Sequence, residues 1–245
     1  MQTKFVTSLL FSTVLPWLAT AAPTYTPFQA DVVIGNITAD QVRQFAPGTA
    51  GCPVSTLECT SCQDTADGLN EAFSAYNFMT LGQKAGIIAY MEFESVDFTY
   101  NTNQFPGRPG QGTKCMLMPP HLYNFVDSFP ELQPQLQSLS PYAAKDGVNW
   151  GNYDALFPDD NTRNQIRALV LPNKYTFKCA TWFMTSYPAA TCDKTALNYG
   201  LDGWVKTMQS PCFGVEVTAD RTAKYCSAMK VLAPSGMSPP PNCSY

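Results

Sequence analysis

The sequence predicts a mainly α domain (α+β) with a small β-hairpin or loop inserted after its most apolar helix. Three observations predict it. From Asp64 onward, apolar and small residues recur at helical spacing. A second stretch, from 80 or 81 to 94, is apolar nearly all round, which marks a buried helix. Soon after it, Pro106-Gly107-Arg108-Pro109-Gly110-Gln111-Gly112 cannot be helical.

The elements follow in order. Residues 1–21 read as a signal peptide: Lys4 supplies a basic start, 5–18 is apolar apart from Thr7, Ser8, Ser12 and Thr13, and Ala19-Thr20-Ala21 is a small-residue cleavage site. That stretch is too short for a transmembrane helix, which needs ~20 apolar residues. The expected location is therefore extracellular, by secretion. Residues 22–63 carry prolines 23, 27, 47 and 53, three cysteines and one short apolar run, Val32-Val33-Ile34. They read as an irregular N-terminal arm tied down by disulfides.

The domain proper is expected over 64–231. Asp64 is a fair N-cap, and Leu69, Phe73 and Tyr76 form a stripe filled in by Ala66, Ala72 and Ala75. In the next helix Leu81, Ala85, Ile88 and Glu92 share one stripe, flanked by Ile87, Tyr90, Met91 and Glu94. Residues 97–120 read as strand and turn. A short helix is expected over 121–129 and an amphipathic one over 161–171. A buried helix follows over 177–185, then helices over 204–209 and 218–231. On the last of these, Thr218 with Arg221 and Asp220 with Lys224 suit helix surface positions. Residues 232–245 form a Pro-rich C-terminal tail that cannot pack alone, though Cys243 can pin it.

All nine cysteines lie after the cleavage site, which in a secreted chain reads as a disulfide framework. Nine is odd, so at least one thiol is free or pairs with another molecule. Cys59-x-x-Cys62 fits a redox or metal motif, but no thioredoxin-like βαβ context and no second CxxC accompany it, so a structural role is the better account. Asn36-Ile-Thr and Asn242-Cys-Ser are N-glycosylation sequons. Without Lys4 the balance is 14 basic against 19 acidic residues, or −5. Such a chain is a poor partner for nucleic acid or an anionic membrane. No cofactor is implied.

The chemistry the sequence excludes narrows the rest. With one histidine, His121, a three-histidine zinc site is impossible, and His121 sits near no nucleophile elbow. No metal site is expected. The spacing Gly107-x-x-Gly110-x-Gly112 does not fit a dinucleotide fingerprint. Carboxylates remain. Glu92 and Glu94 end a helix that is otherwise apolar. Burying a carboxylate is costly unless it is paired or protonated, and a carboxyl still protonated near neutral pH is a general acid. Loop caps or buried ion pairs are the plainer account of two such glutamates, and spacing alone does not choose between them.

The run Ala89-Tyr90-Met91-Glu92-Phe93-Glu94-Ser95, the loop 100–113 and Met116 resemble the lysozyme superfamily (lysozymes, lytic transglycosylases and plant-type chitinases), in which a helix ends in the catalytic Glu, often as Glu-Ser. Phe177-Lys178-Cys179-Ala180-Thr181-Trp182-Phe183-Met184-Thr185 is similar to a core helix of plant-type chitinases. Gly203-Trp204 through Arg221-x-x-x-Tyr225 resembles their C-terminal part. The whole chain resembles secreted fungal proteins of this lysozyme-like pattern. The resemblance covers about 85–118 and 175–230. It implies a lysozyme-like helical domain and a glycoside hydrolase that cuts β-1,4 links in an amino-sugar polymer, peptidoglycan or chitin. Glu94 matches the general acid, with Glu92 as the alternative. Tyr100, Asn101 and Gln111 would line the substrate groove.

No second carboxylate is identified. Asp97 is three residues on, whereas an inverting pair needs ~6.5–9.5 Å between carboxyls. Asp146, Asp154, Asp159 and Asp160 lie in loops that can reach a cleft. Members that depend on a single glutamate use water or the substrate's own acetamido group. A non-catalytic effector or wall-binding protein on the same scaffold is the alternative, and a redox protein built on Cys59 and Cys62 is a third reading.

Overall fold

The computed structural model describes residues 28–140, 147–187, 192–209 and 211–243. The expected signal peptide and Asp146 lie outside them. Among the described residues the chain is helical: α1 (Ala39–Phe45), α2 (Cys62–Ala75), α3 (Leu81–Glu94), α4 (Pro119–Asp127), α5 (Gln133–Leu139) and α6 (Tyr153–Leu156) come first. Then follow α7 (Asp160–Ala168), α8 (Asn173–Thr176), α9 (Cys179–Ser186), α10 (Gly200–Gln209) and α11 (Ala219–Leu232).

The core is built around α3. Thr80 caps it in a box with Gln83: the Thr80 hydroxyl accepts from Gln83 N, and the Gln83 side chain accepts from the Thr80 backbone. Every residue from Leu81 to Glu92 is buried. Side chains such as Ile87, Ile88 and Met91, at 0% exposure, each contribute on the order of 1.5–3 kcal/mol by leaving water. Helix α11 packs along α3, with α9, α10 and a 3-10 turn over Lys194–Tyr199 on its other sides. That turn approaches closely enough that a Cβ on Gly82 would meet the Leu197 carbonyl oxygen at 2.3 Å. From α10, Trp204 Nε1 donates to the Gly86 carbonyl at 3.1 Å, and its ring stacks on Tyr225 of α11.

The N-terminal arm differs from expectation. Its disulfide partners, Cys52 and Cys59, both lie within it, so that bond does not tie it to the domain. Backbone pairing does. Leu81 N donates to Val32 O and Gly82 N to Ala30 O, and Val33 bridges Thr80. Lys84, buried in α3, donates to the carbonyls of Ile34 and Gly35. The arm also contains α1, which packs on α2 and α11.

The insertion after α3 is a loop. Its only pairing, among the described residues, is two isolated bridges, Thr102–Gly112 and Gly112–Leu117. Positive φ at Gly107, Gly110, Thr113 and Met116 turns the chain too often for a ladder to extend. Four cysteine pairs stand at disulfide distance: Cys52–Cys59, Cys115–Cys179, Cys192–Cys212 and Cys226–Cys243. The last pins the tail to α11. Cys62 is the odd thiol, buried at the start of α2 with its Sγ 3.0 Å from Thr49 Oγ1. Cys59 pairs with Cys52 and not with Cys62, so the CxxC spacing forms no dithiol pair. No helix among the described residues is long and apolar enough to cross a membrane.

Candidate active-site cleft

The C-terminal end of α3 borders a cleft of about 270 Å³. Glu94 and Tyr90, one helical turn apart, supply one wall. The loop 111–118 supplies Gln111, Met116 and Met118, and His121 enters from the first turn of α4. Phe183 of α9 and Phe213 complete an aromatic side, with the Tyr90 and Phe213 rings 4.3 Å apart. The cleft loop is held from beneath. Cys115 is bonded to Cys179, and fully buried Lys114 donates at 2.7 Å to the carbonyls of both Glu58 and Phe98. Burial lowers the Lys114 ammonium to about 7.

The two glutamates separate clearly. Glu94 Oε1 lies 2.6 Å from Arg221 Nη2, and the Glu94 side chain keeps 18% of its surface exposed, on the cleft. The Arg221 guanidinium lies over the Phe93 ring at 3.9 Å. Burial raises the Glu94 carboxyl above its ordinary range, against the opposing charge and hydrogen bond of Arg221. Glu92 points inward with no exposure, 2.8 Å from Lys224. Burial pushes its carboxyl up to about 8 although Lys224 opposes the shift. It does not line the cleft. Asp97 is spent on structure, its carboxylate accepting from Gly48 N and from Lys224.

The turn after Glu94 is strained. Val96, Asp97 and Phe98 have φ of +52°, +54° and +58°, a left-handed run that β-branched valine strongly disfavours. Phe98, buried in the core, and the bonds on Asp97 hold it in place.

Of the groove residues expected from sequence, Gln111 lines the cleft and its Nε2 donates to Met116 O. Asn101 is fully buried, its amide bonded to Leu57 O, Leu171 O and the Thr176 hydroxyl, so it faces the interior. Tyr100 is exposed and lies outside the cleft lining. Asp154 lies at a second cleft and pairs with Arg163; Asp159 caps α7. The sequon residues Asn36 and Asn242 are both exposed. Arg221 and Lys224, expected on the helix surface, instead turn onto the acids of α3, because α11 packs along that helix. His121 is a wall residue, among the rings of Trp150, Phe183 and Tyr187, and burial lowers its pKa. Among the described residues no three of His, Cys, Asp and Glu gather as a metal site.

No family model matches the sequence, and no solved structure matches it. Over 113 residues, 46% of the chain, it is 32% identical to a bifunctional dioxygenase (DOX)-epoxy alcohol synthase (EAS) of Fusarium oxysporum (strain Fo5176). The chain covers 8% of the length of that protein.

Proposed function

We propose that the protein is a secreted glycoside hydrolase in which Glu94 acts as the general acid on a β-1,4-linked amino-sugar polymer. The observation that carries this reading is the position of one carboxyl. Glu94 ends a buried helix, opens onto a cleft, and is steadied by a single guanidinium. Such a carboxyl keeps its proton to higher pH than a solvated one, so it can protonate a leaving glycosidic oxygen.

Among the described residues no second carboxylate lines this cleft. That argues for a route in which the substrate supplies the nucleophile. The carbonyl oxygen of the 2-acetamido group attacks the anomeric carbon as Glu94 gives its proton to the departing oxygen. Water then opens the cyclic intermediate, with the Glu94 carboxylate taking the proton back. Arg221 orients the carboxylate throughout. The acidic balance of the chain favours a neutral polymer, chitin, over an anionic bacterial wall.

The test is Glu94→Gln, which keeps the shape and removes the acid. Turnover of chitin oligomers and of peptidoglycan should fall by roughly 10²–10⁴-fold. Full activity in a folded Glu94→Gln protein, or a wild type that cleaves neither polymer, overturns the reading. The ion pair to Arg221 and the mostly apolar remaining wall favour one other reading, a wall-binding or effector protein that uses the same cleft without cleavage. It predicts oligosaccharide binding with no reducing ends released.

A further inference from the structure

A second cleft, of about 220 Å³, opens beside the first. The same loop and the same helical turn supply residues to both. The loop after α3 gives Arg108 and Pro109 to the second cleft and Gln111 and Met116 to the first. The first turn of α4 gives Pro119 and Pro120 to the second and His121 to the first. Trp150, on the second cleft, meets His121 edge-on at 5.7 Å and 85°. Either hollow alone is smaller than the ~300 Å³ of a usual small-molecule site, whereas together they exceed it.

The lining of the second cleft has a definite chemistry. Trp150 leaves 56% of its surface in water, a large aromatic that packs on little of its own chain. Arg163, also on this cleft, is held in place, its Nε donating to Phe157 O, its Nη2 bonded to Asp154 at 2.8 Å, and its guanidinium over the Tyr153 ring. Arg163 and Asp154 offset each other's charge, and Arg108 adds a further cationic donor to the lining. An open indole flanked by fixed donors and acceptors suits a ring with apolar C–H faces and hydroxyls at its rim.

We propose that the second cleft is a distal sugar subsite. One ring of the amino-sugar chain engaged at Glu94 stacks on Trp150, while Arg108 and Asp154 hydrogen-bond its hydroxyl or acetamido groups. The polymer then runs past His121 from one cleft to the other. This rests on the glycosidase reading for its ligand class, but the subsite can fail independently of the chemistry.

The test uses Glu94→Gln protein, which holds ligand without turnover, and calorimetric titration with chitin oligomers from the disaccharide to the hexasaccharide. The hexasaccharide should bind roughly tenfold more tightly than the disaccharide. Adding Trp150→Ala should remove that gain and leave the disaccharide affinity unchanged. Trp150 is exposed, so the fold should survive; Arg108→Ala is the second variant and should lose a smaller part of the gain. Unchanged hexasaccharide affinity in both variants, or no binding of any oligomer, overturns the subsite. A wild type that binds the hexasaccharide through Trp150 without cleaving it supports the subsite and sinks the hydrolase reading. A wild type that cleaves while Trp150→Ala binds normally sinks the subsite alone.

Discussion

Glu94 and Arg221 form an ion pair at 2.6 Å across 127 positions of sequence, joining the last residue of α3 to the first turn of α11. Both side chains are mostly withdrawn from water, so their attraction is less screened than that of an exposed pair, and the cost of burying both charges offsets it. The contact also fixes the direction in which the carboxyl points. The helix pair α3–α11 is thus both the centre of the core and the frame of the cleft.

Arg221→Leu should separate orientation from acidity. Arg221 lowers the Glu94 pKa while burial raises it, so removing the guanidinium lets the carboxyl rise further. A general acid works while protonated, so the alkaline limb of the pH–rate profile should move to higher pH. Turnover should also fall, because the carboxyl is no longer held. Loss of activity with the alkaline limb unmoved would mean that Arg221 only supports the fold.

Glu92 should make stability depend on pH. Folding raises its carboxyl from 4.5 to about 8. Between those values the native state holds a proton that the unfolded chain has released, so stability falls as pH rises through that window. In Glu92→Gln the fall should be smaller by several kcal/mol, on the order of 5. Denaturant unfolding at either end of the window measures it; equal slopes in the two proteins would show that Lys224 holds Glu92 ionised throughout.

Val96→Gly should stabilise the protein. Valine at φ +52° carries about 1–2 kcal/mol of strain, and the side chain is 59% exposed, so little packing is lost. Glycine returns up to ~1 kcal/mol through the greater freedom of its unfolded chain. A rise in melting temperature equivalent to ~0.5–1 kcal/mol is expected. A fall would mean that Val96 holds the turn through contacts worth more than the strain.

Much of the helical frame was legible from residue period. Thr80, the apolar run through Met91 and the end at Glu94 set α3 by capping and patterning, both local signals. The helix over 218–231 was legible in the same way, from Thr218 onward. Its partners were not. Arg221 and Lys224 have the spacing of solvated surface charges, and only the approach of α11 to α3 turns them inward. His121 gave no local signal either, since its neighbours Trp150 and Phe183 lie far along the chain. Helix α1 was missed because its seven residues fall among prolines and cysteines, and its cap is a Thr38–Gln41 box too short to stand out. Positive φ at Thr113 and Met116, which keeps the insertion a loop, has no reliable marker in non-glycine residues.

Asn101 gives the sharpest test of what sequence patterning misassigned. In an Asn-rich loop beside Tyr100 it resembles a sugar-binding amide. Its Nδ2 instead donates to Leu57 O at 2.5 Å and to Leu171 O at 3.3 Å, and its Oδ1 accepts from Thr176 Oγ1 at 2.8 Å. The side chain therefore joins the arm, the loop and the segment around α8. Asn101→Ala should leave two carbonyls and a hydroxyl short of partners in the interior. The expected cost is about 2–4 kcal/mol, read as a lower unfolding midpoint. Oligosaccharide affinity, measured well below that midpoint, should not change. If affinity fell while stability held, Asn101 would have to turn toward ligand, and its three internal bonds would not describe the working state of the loop.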